Sequence, residues 1–245
     1  MSKLVAVVAG VGPGTGAAVA RKFASLYPVV LLARNPENYE GVVKDIKAAG
    51  GSAVGIPTDI ADPKSVKAAF TKIGDEFGGD YGLAAAIFNA SGRFVRKPFL
   101  ELSEDEFSAG LDVSVKGAFL FAQAALPRLV SATPKSQHPP SLIFTGATAS
   151  VKANAHVASF ATGKWALRAL SQSLAKEFGP QGVHVSHAII DGVIDIPRTK
   201  DYLKEAGPDA KISADGIADA YWHLHTQPRT TLTWEIDIRP FVEKW

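Results

Sequence analysis

The chain has 245 residues, 47% of them hydrophobic, enough for one large core, and no Pro/Gly/Ser-rich linker divides it, so residues 1–245 are expected to form a single domain. Its 26 basic and 24 acidic residues are well mixed and leave a formal charge of +2, which argues against a nucleic-acid patch or a polybasic membrane anchor. Without cysteine there is no disulfide framework or thiol chemistry; no apolar run approaches the ~20 residues of a bilayer span, and the sequence opens on a core strand with no cleavable signal, so a cytoplasmic location is expected.

Residues 3–25 organise the rest. The apolar run Leu4-Val5-Ala6-Val7-Val8-Ala9 leads into Gly10-Val11-Gly12-Pro13-Gly14-Thr15-Gly16 and then an Ala-rich segment, the pattern of buried strand, glycine loop and helix. Glycines lack the Cβ atoms that would hold a pyrophosphate away, and the helix that follows offers unpaired N–H groups and a positive dipole end. Gly10, Gly12, Gly14, Thr15 and Gly16 are therefore expected to cradle a dinucleotide; a tight turn between strand and helix is the plain alternative.

A second apolar run, Pro28-Val29-Val30-Leu31-Leu32-Ala33, ends at Arg34. In a dinucleotide fold this position meets the adenosine ribose, where an acidic residue bonds the 2′-hydroxyl and an arginine favours a 2′-phosphate. Arg34 thus points to NADP(H) over NAD(H). A helix over 38–49 stops at Gly50-Gly51, and a third strand over 52–58 carries Pro57, which suits the end of an edge strand. It closes on Asp59-Ile60 at the ligand side, where the Asp59 carboxylate can accept from an adenine amino group. Asp62, ahead of Pro63, reads equally well as a helix cap. Val66, Ala69, Phe70, Ile73 and Phe77 then form a core-facing stripe.

The fourth strand, 83–88, ends in Asn89-Ala90-Ser91-Gly92, small residues that admit a cofactor beside an amide able to tie neighbouring strands. Four alternations of strand and helix predict a parallel, doubly wound α/β sheet with ligands at the carboxyl ends of its strands. Ser103 and Glu106 form a capping box for a long helix over 104–130. A fifth strand over 141–145, a second long helix continuing to 178 and a sixth strand over 183–190 follow. Residues 193–212, with Pro197 and Pro208, read as a mobile lid over the substrate. Ser213 caps a last helix, and 232–238 alternates as a final strand. His223 and His225, two apart on that helix, point to different faces and make no metal pair, and no Gly-x-Ser-x-Gly elbow supports hydrolase chemistry.

Gly10, Gly14 and Gly16, Asp59, Asn89-Ala90, Lys164 with Ala166-Leu167, the segments 173–177 and 182–185, and Asp191-Gly192 occur in the order in which the chain resembles the short-chain dehydrogenase/reductase family from end to end. The resemblance implies a Rossmann-type seven-stranded parallel sheet with helices on both faces and a nicotinamide cofactor. Ile60, Ala90, Lys164, Asp191 and Val193 would complete its site beside the residues above. It also implies a homodimer or homotetramer packed through the two long helices. Asp191 stands where the family usually has proline.

The family's catalytic pattern is a tyrosine four residues before a lysine. Lys164 matches the lysine, which in the family bonds the nicotinamide ribose, but Phe160 stands at the tyrosine position. The serine thirteen residues before that tyrosine corresponds to Ala147, with Thr148 beside it, and the asparagine of the preceding long helix corresponds to Ser114. A positioned acid contributes about 10²–10⁴-fold, or roughly 3–5 kcal/mol of barrier, and a phenyl ring cannot supply it. Thr148 is the best replacement hydroxyl. Ser150, Ser159, Thr162, Lys164 itself, Asp191 and Asp195 are other candidates, and His156 has the most suitable ordinary pKa, although an exposed loop histidine is the plainer reading.

Phe94, Val95, Ala147, Ala149, Phe160 and the lid predict an apolar pocket. Two functions fit: an atypical NADP(H)-dependent oxidoreductase of small or medium apolar carbonyls or alcohols, or an inert NADP(H)-binding protein acting as a sensor or partner module. The aromatic and charged tail, 234–245, is expected to pack on a neighbouring subunit in preference to folding back over the pocket.

Overall fold

A computed structural model describes residues 4–244 of the chain; Lys3 and Trp245, the outer ends of the organising stretch and of the tail, lie outside the described residues. Strands β1 (Leu4–Ala9), β2 (Val29–Ala33), β3 (Ala53–Pro57), β4 (Gly82–Phe88), β5 (Ser141–Thr145), β6 (His184–Ile190) and β7 (Glu235–Ile238) form one sheet in the order β3-β2-β1-β4-β5-β6-β7. Every pairing is parallel. Pro57 ends the edge strand, where its missing N–H costs no ladder bond.

The apolar runs are uninterrupted because both faces of the sheet are covered. Ala6 and Val8 of β1 enter one core with α1 (Thr15–Phe23), α2 (Glu40–Ala48) and α7 (Ala214–Thr226). Val5, Val7 and Ala9 enter the other, with α3 (Pro63–Phe77), α5 (Ala118–Ala132) and α6 (Ala158–Phe178). The strand order reverses at β1, which lies between β2 and β4, so the loops after β1 and β4 part there and open a crevice at the carboxyl ends.

The helix expected over 104–130 is divided. The capping box of Ser103 and Glu106 starts α4 (Glu104–Leu111), a π-helical turn occupies Asp112–Gly117, and α5 follows. A wide turn of this kind is set by contacts across the fold and leaves the apolar pattern almost unchanged, which hides it from periodicity. Together these pieces span Glu104–Ala132, 29 residues in which an 18-residue window reaches a mean hydropathy of 1.2, the one stretch among the described residues with the length and apolarity of a membrane span. The sequence reading anticipated no such stretch; here Phe121, Ala125 and Leu129 are buried in the second core.

Asp62 caps α3 by accepting from the Lys64 N–H at 3.0 Å. His225 lies buried between the Tyr27 hydroxyl and the Ser141 hydroxyl, each 2.9 Å away, while His223 pairs with Gln227, so the two rings do part. The segment 193–212 contains two short 3₁₀ turns and is tied at its ends by a parallel bridge between Ile194 and Ile212.

Candidate active site

The carboxyl ends of the central strands open on a cavity of about 1490 Å³. One end is the glycine loop. Gly10 has φ +87°, and a Cβ there would lie 2.4 Å from the Ala90 amide nitrogen; one on Gly16 would lie 2.6 Å from the Gly10 carbonyl oxygen. The Asn89 side-chain amide donates to that same carbonyl at 2.8 Å and its N–H donates to the Ala9 carbonyl at 2.8 Å, so β1 and β4 are tied together behind the loop. Gly12, in contrast, faces open space: nothing lies within 4 Å of its missing Cβ.

Helix α1 begins here without a side-chain cap and without an acidic residue in its first turn. The Thr15 hydroxyl is buried on the cavity wall with no hydrogen-bond partner. These are the features of an anion cradle awaiting acceptor oxygens. Arg34, exposed at the end of β2, lines the same end and makes no side-chain hydrogen bond or ion pair among the described residues. The residues therefore fit a dinucleotide phosphate group.

At the other end Lys164 is 3% exposed and donates from Nζ to the Thr145 carbonyl at 2.9 Å. Burial pushes its pKa down to about 8. Its ammonium lies 5.7 Å from the centre of the Phe160 ring, and that ring meets Phe94 edge-on at 5.1 Å. Thr148 donates to Asp191 Oδ1 at 2.5 Å, and Asp191 Oδ2 lies 3.3 Å from Arg239, which also pairs with Asp237.

Of the residues proposed from sequence, Gly10, Gly12, Gly14, Thr15, Gly16, Arg34, Asn89, Thr148, Phe160, Lys164 and Val193 line the cavity. Asp59, Ile60, Ala90, Ser114 and Asp191 do not, and neither does Val95. Asp59 spends one oxygen on the Ala61 N–H, closing the turn before α3. Ile60 and Ala90 instead back Gly117 and Gly10, standing 3.0 Å and 2.4 Å from where the missing Cβ atoms would be, closer than van der Waals contact allows. Ser114 is buried in the π-helical turn and accepts from the Gly92 N–H at 3.5 Å. Asp191 lies behind Thr148 and accepts from its hydroxyl.

Two of the other candidate donors are engaged elsewhere. Ser159 donates to the Glu106 and Phe107 carbonyls, and Ser150 accepts from the Ala147 N–H. His156 lines the cavity with φ +67°, and its carbonyl accepts from the Lys97 N–H.

Part of the tail folds back over the pocket, while its Phe241 stays 83% exposed, as the expected subunit contact requires. Arg239 reaches back to Asp191, Pro240 packs against Gly192 and Glu243 lines the cavity, because β7 delivers the chain to the carboxyl edge beside β6. The apolar expectation for the pocket is also incomplete: Arg93, Arg96, Lys152 and Arg198 stand on its wall. Arg93 and Arg96 directly follow the small residues after β4, a position on the ligand side that was legible from the sequence.

A doubly wound sheet with a glycine loop and an arginine-marked cavity at its switch point defines a dinucleotide-binding protein of the Rossmann class. The model of the family described as short chain dehydrogenase matches residues 4–206, and the chain belongs to this family. An uncharacterized oxidoreductase of Staphylococcus aureus strain N315 is 28% identical over 237 residues, covering 96% of each chain. A short-chain dehydrogenase structure from Rhodopseudomonas palustris has a TM-score of 0.78 at 30% identity over 98% of this chain and all of the other. A metagenomic short-chain oxidoreductase in complex with NADP has a TM-score of 0.79 at 27% identity, covering 99% of each chain.

Proposed function

We propose that the protein is an NADP(H)-dependent oxidoreductase that interconverts a small or medium carbonyl compound and its alcohol, with catalytic groups that depart from the family pattern. The observation that carries this reading is the buried, unpartnered Thr15 hydroxyl at the uncapped start of α1, opening into one cavity with the buried Lys164. The relatives crystallised with NADP support the choice of cofactor.

The glycine loop and the first N–H groups of α1 would hold the pyrophosphate, Arg34 the 2′-phosphate and Lys164 the nicotinamide ribose. When bound, the cofactor supplies or accepts the hydride. The chain's own task is the proton. Phe160 has none to give, but Thr148 faces the cavity with its hydroxyl hydrogen committed to Asp191, which leaves its oxygen lone pairs free. A substrate alcohol can thus pass its proton to Thr148 Oγ1, directly or through a water, as Thr148 passes its own to Asp191. The reverse transfer serves reduction.

The absence of a phenol at position 160 supports a second reading, an inert NADP(H)-binding protein used as a sensor or partner module. Assembly through the long helices is supported by Phe119 and Trp165, which expose 47% and 44% of their surface there.

Tryptophan fluorescence transfer on titration with NADPH, NADP⁺, NADH and NAD⁺ tests both readings. Tight binding of the phosphorylated forms, weakened in Arg34→Ala, is expected. Turnover of carbonyl compounds then selects the enzyme, binding without turnover selects the sensor, and binding of none rejects both.

A further inference from the structure

Six basic side chains line the cavity, Arg34, Arg93, Arg96, Lys152, Lys164 and Arg198, against one acidic side chain, Glu243. Arg34 and Lys164 have roles at the two ends of the cofactor. Arg198 stands two residues from Ile196, whose side chain lies against Gly14 of the glycine loop. Arg93, Arg96 and Lys152 have no such assignment.

These three come from the loops after β4 and β5, and those loops are held together where the Lys97 N–H donates to the His156 carbonyl at 2.8 Å. Phe94, between the two arginines, meets Phe160. The three cations, all exposed, therefore come from the loops that carry or adjoin the Phe94–Phe160 contact. None makes a side-chain hydrogen bond or ion pair among the described residues. Two neighbouring cations that do not line the cavity are neutralised: Lys97 pairs with Glu106 at 3.0 Å and Lys211 with Asp195 at 3.2 Å. Like charges gathered on one rim repel each other and concentrate a field in the cleft, a cost that an entering anion removes. The planar fork of arginine matches carboxylate and phosphate oxygens in particular. Space is sufficient: about 1490 Å³ exceeds the roughly 300–1,000 Å³ of an ordinary small-molecule site.

We infer that the substrate carries an anionic group, a carboxylate or a phosphate, held by Arg93, Arg96 and Lys152 while its apolar body lies against Phe94 and Phe160. This names the substrate class of the oxidoreductase proposed above and rests on that reading.

Calorimetric titration with phenylpyruvate, its methyl ester and phenyl phosphate, with and without NADP⁺, tests it. At least one anion should bind roughly tenfold or more tighter than the neutral ester, as expected for one charge-assisted contact. The advantage should shrink with added salt and disappear in the Arg93→Gln/Arg96→Gln double variant, with a smaller loss in Lys152→Gln. Preference for the acid or for the phosphate identifies the group. Equal binding of ester and anions, anion binding unchanged in the double variant, or no anion binding at all would overturn the proposal. If anions bind through the two arginines but NADP⁺ does not bind, the cofactor reading fails and the anion site stands; NADP⁺ binding without anion preference has the opposite meaning.

Discussion

The Thr148 hydroxyl donates a 2.5 Å hydrogen bond to Asp191 Oδ1 and so joins the chain just after β5 to the end of β6, while Arg239 holds the other carboxylate oxygen from the tail. Where the family usually turns with proline, this chain places a buried carboxylate with two partners. Thr148→Val removes one donor and leaves that carboxylate with less than it needs, at a cost of about 1–2 kcal/mol in urea unfolding. Thr148→Ser keeps the donor and should recover most of the loss. If valine and serine are equally stable, the bond contributes nothing and the proton path through it loses its support.

Two glycines of the cofactor loop should separate folding from binding. Gly12→Ala adds a methyl group with nothing within 4 Å, so unfolding free energy should change by less than about 0.5 kcal/mol while NADPH affinity falls. Gly16→Ala forces a Cβ to 2.6 Å from a backbone carbonyl and should cost about 1–3 kcal/mol as well. Undiminished NADPH binding in a stable Gly12→Ala protein would show that the loop does not carry the pyrophosphate.

Much of this was legible in advance because the signals are local. Uninterrupted apolar runs such as Leu31-Leu32-Ala33 require cover on both faces, and Gly10 through Gly16 sit where a backbone must approach closely. What was hidden depends on contacts made after the chain folds. The π-helical turn holding Ser114 leaves no periodic trace. Asp59 gives one carboxylate oxygen to the Ala61 N–H in the turn before α3, a contact that only the folded turn reveals. The tail reads as interface material from its aromatics, but β7 pairs beside β6 and aims Arg239 at Asp191. Arg93 and Arg96 after β4 carry a position signal, but interleaved with Phe94 and Val95 they give no charge run.

Phe160 is half-buried on the cavity wall beside Lys164, and a hydroxyl at its para carbon adds a phenol donor to a site whose proton otherwise passes through Thr148 and Asp191. Phe160→Tyr should raise carbonyl reduction by up to about 10²–10⁴-fold when NADPH binding is intact. The assay is NADPH oxidation followed by absorbance over neutral and acidic carbonyl compounds. No gain on any of them would count against position 160 as the place of the donor.

His225 links stability to pH. Burial pushes its pKa down to about 3 from the ordinary 6.5, with repulsion from His138 and His184 adding to the shift. Between those values the unfolded chain holds a proton on this ring and the native protein does not, so native stability falls as pH drops below about 6.5 and stops falling from this source near 3. At pH 5 the loss relative to pH 7 is about 2 kcal/mol, from 1.36 kcal/mol per unit. His187, pushed down to about 4 mainly by burial despite Glu235 beside it, acts in the same direction. His225→Gln keeps a donor and an acceptor toward Tyr27 and Ser141 but has no proton to gain. Urea unfolding at pH 7, 6 and 5 should therefore show a shallower decline in this variant than in the parent, whatever its stability at pH 7. Parallel declines would mean that the native fold already accommodates the protonated ring.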